Sequence, residues 1–239
     1  MPKIPFHRNS WTLRHLAITS LACMSIFVPA LRANLEVVDI QKVDPSIVID
    51  LRYATPHNVT GRALYPPNAR ALILPSVAQQ LAGAQKYLKQ YKYGLKIWDA
   101  YRPKEAQVLL WKLAGKGDFV ANPENGVGSL HSWGVSVDAT LVDDWGGAVS
   151  MPTGFDEFTP AAMLHYQGSD PVVKAHLTLL QLAMAHNNFY GLRVEWWHFT
   201  TADWQKYVPY QEGEENAPKK KADDKKLKSA AQKDQGSKT

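Results

Sequence analysis

The chain has 239 residues, 45% of them hydrophobic and 21% charged, with a formal net charge of +5. That balance supports a folded core and excludes a chain that is disordered throughout. Much of the lysine lies beyond Gln211, so the body is close to charge-balanced and carries no basic footprint for nucleic acid.

In chain order, Lys3, Arg8 and Arg14 precede an apolar run from Leu16 to Leu31, with small residues at Ala30 and Ala33. This is the layout of a cleaved export signal over 1–33. The run is shorter than the roughly 20 residues of a spanning helix, so no stable membrane insertion is expected after cleavage, and the mature protein is expected in a bacterial periplasm. Cys23, the only cysteine, falls inside this leader. The mature chain therefore has no thiol, and any metal must be held by histidine and carboxylate.

Beyond the leader, "LEVVDI" and "IVIDLRY" have strand composition, and residues 61–70 are turn-rich. A helix is predicted from Pro75 to about Tyr93, closed by Gly94, followed by a strand "LKIWDAYRP". Pro103 opens a second helix ending at Gly115, and residues 115–128 form a loop. Residues 135–142 alternate as a strand, "DDWGGAVSMPTG" reads as a turn between strands, and Asp170 with Pro171 starts a long helix to about Asn187. "LRVEWWHFT" is the last strand. From 211 to 239 the chain becomes charged and of low complexity, a disordered tail. The mixture favours an α+β fold, one domain over 34–210 with a mostly antiparallel sheet flanked by helices.

His131, Asp138 and His198, with Glu195, contain the residue types of a catalytic zinc site: three ligands and a carboxylate to handle a water proton. Seven residues of straight strand span about 23 Å, too far for His131 and Asp138 to share an ion, so the chain must bend, and Gly134 is the residue able to bend it. Glu195 and His198 differ by three and would face opposite sides of a flat strand; a bulge or helical turn near Trp196 is required for both to serve one site. Spacing alone leaves a metal site and a chance pairing open. His7, His15, His57, His165, His176 and His186 read as packed or surface histidines, Trp196 and Trp197 as core or pocket wall, and Asp143, Asp144, Asp156 and Glu157 as solvated turn residues.

Several motifs in order resolve the choice. "SLHSWGVSVD" fits Ser-x-His-x-x-Gly-x-x-x-Asp, "EWWHF" fits Glu-x-Trp-His, and "DAYRP", "DLRYAT" with "NVTG", and Phe155 with Asp156 accompany them. Over 36–208 the chain resembles the zinc D-alanyl-D-alanine dipeptidases of the vancomycin-resistance (VanX) type, within the hedgehog/D,D-peptidase fold group. The resemblance implies one zinc ion per subunit, held by His131, Asp138 and His198, with Glu195 as catalytic base. It further implies that Arg102 stabilises the oxyanion, and that Tyr53, Ser129 and Asp156 contact a small D,D-dipeptide substrate. The plain alternative for Arg102 is a structural ion pair with Asp99. Alternatives for the whole chain are a D,D-carboxypeptidase or endopeptidase acting on wall stem peptides, and a non-catalytic wall-binding module.

Overall fold

The computed structural model describes residues 36–115 and 119–208. The expected leader and lysine-rich tail, with His7, His15 and Cys23, lie outside the described residues.

The main sheet has five strands in the order β2-β4-β5-β7-β6. These are β2 (Val48–Ile49), β4 (Tyr93–Asp99), β5 (Ser136–Asp143), β6 (Phe189–Leu192) and β7 (Glu195–Thr201). Only β2 and β4 run parallel; the other pairings are antiparallel, as expected of the α+β class. A small second sheet pairs β1 (Val38–Asp39) with β3 (Leu72–Ile73). Two long helices, α2 (Pro75–Lys89) and α4 (Pro171–His186), pack on each other and on the sheet. Leu81, Ala84 and Leu88 of α2 and Leu177, Leu180 and Met184 of α4 are buried with Leu95, Ile97, Val137, Ala139 and Leu141 of the central strands. Every residue of β5 except its last is buried, so polar residues on that strand need partners inside the protein.

The helix termini follow from their sequences. Asp170 caps α4 by accepting from Val172 N at 2.8 Å and Val173 N at 3.3 Å, and Pro171 occupies the first turn, where its missing N–H costs nothing. The short helix α3 (Lys104–Ala114) starts one residue after Pro103 and is capped at Gly115.

Five expectations need correction. "LEVVDI" is a strand for two residues only, because Asp39 accepts from Gln41 N at 3.0 Å and turns the chain into the short helix α1 (Ile40–Val43). "IVIDLRY" likewise gives way to a 3-10 turn at Arg52–Ala54. Gly94 does not close α2: the helix ends at Lys89, Lys92 takes the left-handed turn with φ 63, and Gly94 lies inside β4. There Gln85 accepts from Leu95 N at 2.7 Å, and a Cβ on residue 94 would come within 3.2 Å of its amide. Finally, "LRVEWWHFT" is not one strand: Leu192 ends β6, Arg193 and Val194 form the turn, and Glu195 begins β7; "DDWGGAVSMPTG" leads only to an isolated bridge, Val142 with Ala148.

Candidate active site

Two departures from regular structure build the site. After a 3-10 turn over Leu130–Trp133, Gly134 adopts the left-handed conformation, φ 66 and ψ 28, and β5 begins two residues later. Any Cβ there would be strained by the left-handed backbone, while meeting Leu74 at 3.4 Å. The bend expected at Gly134 is thus present, and it swings His131 back over the strand that carries Asp138.

The second departure is in the hairpin. Gly191 pairs with Phe199, but the next residue, Leu192, pairs with Glu195, so Trp196, Trp197 and His198 bulge out of register with β6. Alternation is broken there, and Glu195, Trp197 and His198 all line one cavity. This is the irregularity that the spacing of Glu195 and His198 required. On the other side, β7 keeps register with β5, and His198 stands directly opposite Asp138.

The three side chains converge through single atoms. His131 Nε2 lies 3.1 Å from His198 Nδ1, which lies 3.1 Å from Asp138 Oδ1, which lies 3.4 Å from His131 Nε2. Ligands about 2.0–2.1 Å from a tetrahedral ion stand about 3.3 Å apart, so this triangle has the size such an ion demands. The outer ring nitrogens are also engaged: His131 Nδ1 is 2.8 Å from the Ala100 carbonyl, and His198 Nε2 is 3.2 Å from Thr200 Oγ1. Outer partners of this kind aim the inner lone pairs at a metal. The donor set, two imidazoles and one carboxylate, fits a divalent transition metal with a coordination position left open.

The electrostatics agree. Burial pushes the Asp138 carboxyl up, but His131 and His198 outweigh it and hold the group well below the usual carboxylate range. Burial holds His198 below its ordinary value despite its hydrogen bond to Asp138. Asp138 is therefore an anion and His198 favours the neutral, metal-binding form. Glu195, whose Oε2 lies 3.9 Å from His198 Nδ1, is pushed well above the usual range by burial and by the charges of Asp138 and Asp156, with Arg102 opposing. A divalent cation in the cluster would draw this group back toward ionisation.

Asp99 and Asp138 are directly opposed across β4 and β5, a pairing of like charges that is unfavourable alone. Arg102 answers it. Its Nε and NH2 bond Asp99 Oδ2 at 2.9 and 2.7 Å, and NH2 lies 3.6 Å from Asp138 Oδ2. NH1 donates to Gln107 Oε1 at 2.8 Å, and the guanidinium carbon stacks 4.8 Å from the Tyr53 ring centre. Arg102 is thus ion-paired with Asp99 and also lines the cavity. Arginine has five N–H donors, so these three bonds leave two for an incoming oxygen.

Asp156, also in the cavity lining, is 8% exposed, which overturns its reading as a solvated turn residue. It takes φ 59, and accepts from Val59 N at 3.1 Å and Tyr53 OH at 3.3 Å. Burial raises its pKa to about 7, against the pull of the Val59 N–H. Ser129 is buried and lines the same cavity, which measures ≈ 270 Å³ and is walled by Phe119, Phe158 and Trp197. All eight candidate residues thus border one space or its immediate support, while His57, His165, His176 and His186 lie elsewhere.

Sequence reasoning named Asp99 only as an ion-pair partner for Arg102 and missed Tyr65 and Gln107. Asp99 is fully buried and, besides Arg102, accepts from Tyr65 OH at 2.6 Å and lies 3.4 Å from His131 Nδ1. Gln107 donates to the Ala121 carbonyl at 2.7 Å while holding Arg102. Only "DAYRP", with Asp99 three residues before Arg102, carried a signal for any of them.

A family model described as D-ala-D-ala dipeptidase matches residues 33–216. The D-alanyl-D-alanine dipeptidase of Escherichia coli K12 is 35% identical over 164 residues, covering 69% of this chain and 83% of that protein. Those of Enterococcus faecalis and Enterococcus faecium are 31% and 28% identical, each over 64% of this chain and 85% of their own length.

Proposed function

We propose that this chain, which belongs to the D-ala-D-ala dipeptidase family of metallopeptidases, hydrolyses free D-alanyl-D-alanine to two molecules of D-alanine with one zinc ion. The observation that carries this reading is the triangle of His131 Nε2, Asp138 Oδ1 and His198 Nδ1, flanked by Glu195 and Arg102 in one cavity. A zinc ion in that triangle supplies Lewis-acid polarisation and makes water nucleophilic near neutral pH.

The protein's own residues do the rest. Glu195 takes a proton from the attacking water and returns it to the leaving amine, a double task suited to a carboxyl whose pKa is raised by burial. The two free N–H groups of Arg102 donate to the oxyanion of the tetrahedral intermediate, and the bonds to Asp99 and Gln107 fix them before the charge develops. Asp156, with Tyr53 and Ser129 beside it, receives the substrate ammonium. An N-acylated substrate would leave Asp156 buried without its cation, so the free dipeptide is preferred over a stem peptide. The basic, apolar and small-residue order of 1–33 supports export, and an exported enzyme would meet dipeptide released by wall turnover.

Asp156→Asn tests the substrate end of the site. Asp156 carries charge above its pKa, which lies at about 7 in the metal-free site and is drawn lower by a bound cation. Wild-type KM for D-Ala-D-Ala should therefore fall as pH rises through the region at or below 7 and then level. In the variant KM should be about 30-fold higher or more, the cost of stranding one partner of a buried charge pair, with that pH step gone and kcat changed little. An unchanged KM removes Asp156 from the ammonium site.

A further inference from the structure

His131 and His198 are held from behind by different chemistry. The Ala100 carbonyl can only accept, so it fixes the proton of His131 on Nδ1 and leaves Nε2 bare for the cluster. The outer nitrogen of His198 meets instead a hydroxyl, Thr200 Oγ1 at 3.2 Å, two residues along the same strand and on the same face. Thr200 is 2% exposed, and its cross-strand partner is Ser136, which is 0% exposed; their hydroxyls are 2.8 Å apart. On its other side Thr200 pairs with Tyr190 of β6. Two buried hydroxyls in direct contact, on the same face of the paired strands as Asp138 and His198, call for a reason, since Val or Ile would suit such buried strand positions.

We propose that the Thr200–Ser136 hydroxyl pair is a positioning device for the metal site: it accepts the Nε2 proton of His198 and so holds the ring in the tautomer whose Nδ1 lone pair faces His131 and Asp138. A hydroxyl that accepts from the imidazole must send its own proton onward, and Ser136 Oγ, 2.8 Å away and buried with it, is placed to receive it. The pair thereby does for His198 what the Ala100 carbonyl does for His131. Without it, a metal-facing Nδ1 would oblige His198 to leave Nε2–H unpaired beside an apolar side chain, and the ring would be free to turn away from the cluster.

The inference rests on the metal reading of the site, and zinc affinity separates the two. Competition with a chromophoric chelator should show Thr200→Val, similar in shape and fit for a strand, binding zinc about 10–100-fold more weakly than wild type. The metal-free variant should unfold at a temperature close to that of the metal-free wild type. Thr200→Ser, which restores the hydroxyl alone, should recover affinity to within about threefold of wild type, an allowance small beside that loss. In zinc-loaded wild type, nitrogen-15 NMR should find the proton of His198 on Nε2 and the metal on Nδ1, a readout that needs no variant to fold. Equal zinc affinity in Thr200→Val, failure of Thr200→Ser to recover it, or metal on Nε2 would each overturn the positioning role. Wild-type protein that takes up no zinc would overturn the metal reading and this inference together.

Discussion

Replacing Glu195 by glutamine is expected to lower kcat for D-Ala-D-Ala by about 10²–10⁴, while zinc content and KM stay near wild type. Glutamine keeps the shape of the side chain between β6 and the cluster but cannot accept the proton of water. The metal-free protein provides a second signature. Burial and the charges of Asp138 and Asp156 raise the folded-state pKa of Glu195 above its unfolded value. The protonated form is thus favoured by folding, and its contribution to stability is full below the unfolded pKa and lost as pH rises through the folded one. Glutamine has no such loss, so metal-free Glu195→Gln should gain thermal stability relative to wild type as pH rises toward the alkaline side. Thermal unfolding across pH, with kcat and zinc content measured on the same preparations, checks all three statements. A variant with near-normal kcat would show that another group carries the proton.

Arg102→Met should damage both catalysis and folding. Its two free N–H donors are lost to the oxyanion, which costs about 10²–10³ in kcat where one such donor is removed. The stability effect has a separate origin. Asp99 is 0% exposed and stands opposite Asp138, so removing the guanidinium leaves opposed carboxylates without their cation. Breaking a buried pair in this way costs about 3–5 kcal/mol, read as a large fall in the unfolding midpoint. Arg102→Lys separates the two roles. An ammonium can answer the charge of Asp99 and recover part of the stability, but it cannot hold Asp99 and Gln107 while presenting two parallel donors, so kcat should stay low. Wild-type kcat in Arg102→Lys would reduce Arg102 to a structural ion pair.

The metal-capable residues were legible because their spacing is awkward. A straight strand cannot bring His131 and Asp138 together, and the glycine between them supplies the one conformation that can; the same argument from Glu195 and His198 anticipates the bulge at Trp196–His198. The long amphipathic helices were legible from caps and period, as Asp170 and Pro171 show for α4. The edges of strands were not, because side chains decide them: Asp39 caps a helix where apolar residues suggested a strand, and Gln85 reaches ten residues along to bond β4. The supporting groups of the site were illegible for a related reason. Tyr65 meets Asp99 across 34 residues and Thr200 meets Ser136 across 64, and neither contact leaves a local pattern in the chain. Asp156 shows the limit from the other side, since an acidic residue in a turn reads as solvated until Tyr53 and Val59 are seen to cover it.

The most direct measurement is release of D-alanine by the zinc-loaded protein from free D-Ala-D-Ala and from N-acetyl-D-Ala-D-Ala at matched concentrations. The buried carboxyl of Asp156 in the cavity lining leads us to expect hydrolysis of the free dipeptide, with kcat/KM for the acetylated form lower by about 30-fold or more. Equal or faster cleavage of the acetylated form, or no cleavage of the free one, would contradict a dipeptidase built on His131, Asp138, His198, Glu195 and Asp156.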